Sequence, residues 1–116
     1  MTDTHLDRDV LNALQEVMEG EYPTLLDTFL ADSETRLQQL HLAENATQLI
    51  EAAHSFKGSS SNMGALGLTA LCGQLEKSAA TASSDDIARM IAHISHEFAL
   101  VRPLYETERQ RFLMES

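Results

Sequence analysis

Apolar residues along the chain recur at spacings of three and four, and no stretch alternates apolar and polar long enough for a half-buried strand. Leu6, Val10, Leu14, Val17 and Met18 form the stripe of a first helix over about 7–19, with Asp7 placed to cap it. Gly20 breaks that helix. Pro23 suits the first turn of a second, where a missing N–H leaves no helix bond unmade. Leu26, Phe29, Leu30, Leu37 and Leu40 carry the second helix to about residue 43. Asn45 can cap a third, with Leu49, Ala53, Phe56, Ser60 and Met63 inward. Gly64 is a natural stop, because glycine enters the left-handed conformation cheaply. After a tight connection from Gly64 to Gly67, Leu68, Leu71, Cys72, Leu75 and Ala79 mark a fourth helix. Thr81 to Ser84 reads as a loop, and Ser83 or Ser84 before Asp85 and Asp86 as a helix start. Ile87, Ile91, Ile94, Phe98 and Val101 form a fifth stripe. Pro103 falls inside this pattern and removes a helix hydrogen bond. A kink or break is expected there, with a last segment near 103–114.

Short loops between amphipathic helices favour antiparallel neighbours. The expected fold is all-α: an antiparallel four-helix bundle with an additional short N-terminal helix and a kinked or broken C-terminal helix. The 116 residues allow one domain, over residues 1–116, and no internal repeat or Pro-rich linker divides them.

Composition sharpens this. Hydrophobic residues make up 43%, enough for a real core, but aromatics are only 5% and Trp is absent, so the core must be mostly aliphatic. The net charge of −10 argues against nucleic acid, which needs clustered Lys and Arg, and against an anionic membrane surface. No apolar run approaches the roughly 18 residues of a spanning helix. Met1 to His5 offers neither a basic flank nor an apolar segment, so no signal peptide is expected. Cys72 is the one cysteine and sits on an inward stripe, which favours a buried inert thiol. A cytoplasmic protein is the expectation.

The charge is unevenly spread. From Ala52 to Leu75 the only charged residue is Lys57, with Glu51 and Glu76 at the borders. If Ala53 and Phe56 face the core, a turn of 100° per residue puts His54, Lys57, Gly58 and Ser61 on one outward face. Gly58 costs roughly 1 kcal/mol relative to Ala in a helix interior. Small residues one turn beyond a histidine let another surface approach the imidazole. Lys57 can reach the same space and neutralise an anion there. A neutral imidazole is a nucleophile near pH 7, and its second nitrogen needs a carboxylate or carbonyl to fix the tautomer. Glu76, on the next helix of a tight hairpin, can serve; it could equally pair with Lys77, an arginine or water.

These residues resemble the histidine-containing phosphotransfer (HPt) family, whose signature is His-x-x-Lys-Gly with a glycine ten residues after the histidine. Ala53-His54, Lys57, Gly58 and Gly64-Ala65 match in place, as does the Leu-rich helix ending in Leu75-Glu76. The likeness covers most of the chain and is strongest to stand-alone gamma-proteobacterial HPt proteins of the pseudomonad type. Ser61 departs slightly, where many members carry a residue such as Gly. The resemblance implies a phosphorelay intermediate without kinase activity of its own. His54 would accept a phosphoryl group from the receiver-domain aspartate of a hybrid sensor kinase and pass it to a response-regulator receiver. It assigns His54 Nε2 as carrier, Lys57 as phosphate neutraliser, Gly58 as clearance and Glu76 as the Nδ1 orienter. No cofactor of its own is implied; Mg²⁺ belongs to the partner receiver. Ile50 and Ser61 are candidate docking residues in a protein expected to act as a monomer, although Ile50 also suits ordinary core packing. The competing reading is a helical adaptor or anti-activator whose partner binds regardless of His54 phosphorylation.

Two further patterns fail. Glu51-Ala52-Ala53-His54 is a Glu-x-x-His of the di-iron bundle type, but no second copy exists. His93, His96 and Glu97 could share a metal, yet no ligand elsewhere is identifiable, and a solvated helix face is the simpler reading. His5 and His41 read as surface residues.

Overall fold

The computed structural model describes residues 5–115; Met1 to Thr4, which form most of the segment without a basic flank, and Ser116 lie outside the described residues. Helix α1 spans Arg8–Met18. Asp7 Oδ1 caps it, accepting from the N–H groups of Asp9 (3.0 Å) and Val10 (3.4 Å). The chain leaves α1 at Glu19, whose φ is +48°, one residue before the expected break at Gly20, and makes a 3-10 turn over Glu19–Glu21. The α1 stripe also needs correcting. Leu11 is its fully buried residue, with Leu14 and Met18 beside the core, whereas Val17 is 79% exposed. Val17 lies about 120° round the helix from Leu11, away from the face that α1 turns to the bundle.

Helix α2, Tyr22–Leu42, carries Pro23 in its first turn. Helix α3, Ala46–Asn62, starts at Asn45, whose side chain accepts from Gln48 N–H at 2.9 Å. Gln48 in return accepts from Glu44 N–H at 2.8 Å, a variant of the capping box. Helix α4 is Leu66–Ser78 and α5 is Ser84–Glu115. Ser83 caps α5, accepting from Asp86 N–H at 3.1 Å. Helices α2 to α5 form the expected bundle, and α1 packs at the end where α3 turns into α4. Leu26, Phe29, Phe56, Leu68, Leu75, Ile94 and Val101 meet in its core. Phe29 packs edge-on against Tyr105 with ring centroids 5.1 Å apart. Among the described residues no helix is long and apolar enough to cross a membrane.

Helix α5 runs unbroken for 32 residues, so the break and separate last segment expected at Pro103 do not form. Pro103 and Ala99, whose carbonyl loses its partner, are both exposed, so the freed carbonyl is open to water. Val101 and Tyr105, fully buried on either side of the proline, hold the helix to the core.

The α3–α4 turn is pinned from three directions. Gly64 has φ +72°, and a Cβ there would stand 3.1 Å from Asp7 O and from Val10 Cβ. The strap before α1 pairs with the turn through Asp7 N–H to Gly64 O (2.8 Å) and Leu66 N–H to His5 O (2.9 Å). Tyr105 Oη donates to Met63 O at 2.7 Å, satisfying a carbonyl at the end of α3.

A buried carboxylate ties α1, α2 and α5 together. Glu108 Oε2 accepts from Arg8 (2.6 Å), Tyr22 Oη (2.8 Å) and Arg111 (3.0 Å). Burial alone would push its carboxyl up, but the hydrogen bonds from Arg111, Arg8 and Tyr22 outweigh that and hold it at about 2. The native carboxyl thus titrates below an unfolded one. Its contribution is present above 4.5, the ordinary value of a glutamate carboxyl, and is lost as pH falls toward 2. Glu108→Gln should lower unfolding stability at neutral pH by about 2 kcal/mol. Urea titrations should show the gap to the parent protein closing between pH 4.5 and 2; a gap that stays constant is the contrary result.

Candidate functional site

The outward face of α3 carries the residues that its periodicity assigns there. Ala53, Phe56 and Ser60 are buried, while His54, Gly58 and Ser61 are exposed and Lys57 is half-buried. A Cβ on Gly58 would meet nothing within 4 Å, so this glycine serves no helix packing and leaves open space beside the histidine. Ile50 is half-buried and packs against the core.

Because the pinned turn sets α3 antiparallel to α4, Glu76 comes opposite His54. The imidazole Nδ1 lies 2.8 Å from Glu76 Oε2, and Lys57 Nζ lies 2.7 Å from Glu76 Oε1. One carboxylate therefore holds both groups. The Lys57 ammonium, and then the His54 ring, keep the Glu76 carboxyl below its usual range. Glu76 is therefore ionised at neutral pH and can only accept, so the proton must sit on His54 Nδ1. The lone pair is left on Nε2, on a side chain 68% exposed. The arrangement is a nucleophilic nitrogen with fixed tautomer, open to another surface, and a cation close by.

Two features of the site are not evident from the sequence. Lys57 is paired with Glu76 instead of standing free. The lysine stem crosses α4 at Gly73, a turn before Glu76, where a Cβ would lie at an ordinary packing distance of 3.5 Å from Lys57 Cδ. A small residue three positions before the orienting carboxylate is the signal that could have pointed to it.

The other histidines are arranged differently. His5 is not a plain surface residue: its Nδ1 lies 2.7 Å from Glu97 Oε2. Glu97 is buried, which corrects its place on a solvated face with His93 and His96. A Cβ on Gly67 would collide with that carboxylate, so only glycine allows α5 to bring Glu97 this close to α4. Among the described residues, no three His, Cys, Asp or Glu side chains come together as a metal site. Cys72 is buried, and burial pushes its thiol up to about 12, leaving it protonated at neutral pH.

A helical bundle with a carboxylate-oriented, exposed histidine on its second bundle helix defines a class, and comparison with known proteins agrees. The sequence model of the Hpt domain matches residues 24–103. The chain belongs to the histidine-containing phosphotransfer family. It is 51% identical to histidine-containing phosphotransfer protein B (HptB) from Pseudomonas aeruginosa PAO1, whose crystal structure superposes with a TM-score of 0.89 over 95% of this chain and 98% of that one. The pseudomonad likeness read from the motif is thus borne out. A putative histidine-containing phosphotransfer protein from rice shares the fold, with a TM-score of 0.83, 20% identity, and coverage of 94% of this chain and 82% of that one. No curated protein matches.

Ring ¹⁵N NMR at neutral pH should show His54 protonated on Nδ1. In Glu76→Ala the signal should shift toward the Nε2–H form that free imidazoles prefer in water. An unchanged tautomer would mean that Glu76 does not orient the ring.

Proposed function

We propose that this protein is a phosphorelay intermediate with His54 Nε2 as the phosphoryl carrier. The observation that supports it most directly is the 2.8 Å contact between His54 Nδ1 and Glu76, which leaves a nucleophilic Nε2 on an exposed ring. The donor is the acyl phosphate on the receiver-domain aspartate of a hybrid sensor kinase. Nε2 attacks phosphorus, the aspartate carboxylate leaves, and reversal onto a second receiver's aspartate completes the relay. Transfer of this kind depends on positioning and charge neutralisation. In this reading Mg²⁺ is supplied by the receiver. Gly58 and Ser61 keep the approach clear and Lys57 counters phosphoryl charge. Ile50 supports the docking face from beneath. The protein works as a cytoplasmic monomer with no kinase activity of its own.

Residues 1–58 carry a net charge of −8 and residues 59–116 only −2. The acidic helices steer partner choice, while the nearly neutral surface around His54 makes the contact.

Incubation with a phosphorylated receiver should place acid-labile label on this protein, and His54→Ala should abolish it. Label that persists in the variant would refute the site. Partner capture that is indifferent both to His54→Ala and to phosphorylation, with no label from any receiver of the same genome, would favour the adaptor reading instead.

A further inference from the structure

Formation of an N–P bond at His54 creates two charges at once. The phosphoryl group brings about two negative charges near neutral pH. The ring, which keeps its proton on Nδ1 while Nε2 gives its lone pair to phosphorus, becomes formally cationic. Each new charge needs an opposite one nearby. In the resting geometry both counter-charges are present, but they neutralise each other: Lys57 Nζ sits 2.7 Å from Glu76 Oε1.

Resting on the phosphorelay reading above, we propose that Lys57 changes partner during transfer, leaving Glu76 for the phosphoryl oxygens as the Nε2–P bond forms. The exchange matches charges on both sides. Lys57 meets the anion. Glu76, freed of its ammonium, turns its whole charge on the imidazolium through the Nδ1–H bond that it already holds. No proton has to move. When the phosphoryl group departs, the N–P electron pair returns to Nε2, the ring becomes neutral, and Lys57 returns to Glu76.

The geometry supports such a swing. Lys57 and His54 touch the two oxygens of one carboxylate, so the ammonium rests beside the ring. Lys57 is 37% exposed and Glu76 23%, and an ion pair this open to water is held weakly. The lysine stem is flexible and crosses α4 over Gly73, where no side chain obstructs it. Open space over Gly58 leaves the outer side of the ring clear for the phosphoryl group. Lys57 is thus a stored cation, kept near the ring by the residue that orients the ring.

A double-mutant comparison tests this, using the small donor phosphoramidate, whose own P–N bond breaks as ammonia leaves, so that receiver docking does not enter. Labelling of His54 would be timed in the parent protein, Lys57→Met, Glu76→Gln and the double variant. Lys57→Met should slow labelling about tenfold in the parent, and by at least as much in the Glu76→Gln chain, where the lysine has no resting partner to leave. If the lysine serves only to hold Glu76 in place, its loss will have no effect once Glu76 is replaced, and the exchange is wrong. A parent protein that takes no label, or a His54→Ala chain that keeps it, would overturn the phosphorelay reading and the exchange with it. The first failure alone leaves the relay standing.

Discussion

The register between α3 and α4 is set where the chain reverses at Gly64. The positive φ of that glycine turns the backbone, and the absence of a Cβ admits Asp7 and Val10. The strap at Leu6 pairs with Ala65, and Tyr105 holds Met63 O. His54 lies ten residues before this glycine and Glu76 twelve after it. With a rise of about 1.5 Å per residue, two antiparallel helices locked at that turn bring the two side chains to nearly the same height. A loosened turn would let α4 slide or rotate, and the 2.8 Å contact would be lost before any residue of the site had changed.

Three glutamates show how burial decides what one side chain does. Glu108, almost inaccessible and bound by Arg8, Arg111 and Tyr22, is a structural tie between helices. Leaving this buried carboxylate without its partners would be costly. Glu97, buried over Gly67, anchors the N-terminal strap through His5. Glu76 is the most exposed of the three and holds two groups in reach of solvent. The outer ion pairs between α2 and α5, Arg102 with Glu34 and Arg109 with Asp27, lie in water and add little to stability.

Much of this was legible in the residues because local rules and the global fold agree. Asp7, Asn45 and Ser83 cap helices because their short side chains reach free N–H groups within their own turn. Three- and four-residue spacing located most core positions but missed Leu11, Tyr22, Ala52, Ala65 and Tyr105. The failures share one cause, which is dependence on distant chain. Val17 was misplaced because the apolar pattern of α1 admits two neighbouring faces, and only docking selects Leu11. A kink or break was expected at Pro103 on local grounds, yet α5 does not break there, because packing of Val101 and Tyr105 outweighs one lost hydrogen bond on the wet side. His5 and Glu97 are 92 residues apart, and nothing in either neighbourhood announces the other.

The order of the helices, the neutral window, and the shared face of His54, Lys57, Gly58 and Ser61 are properties of the sequence alone, since they follow from periodicity and capping within a few residues. The pairing of Glu76 with both His54 and Lys57, and the passage of the lysine over Gly73, were decided only by the tertiary structure. A helical repeat specifies which way a side chain faces along its own axis. It carries no information about the height at which a second helix meets it, and here that height depends on one glycine turn held by a strap at the start of the described chain and a tyrosine near its other end.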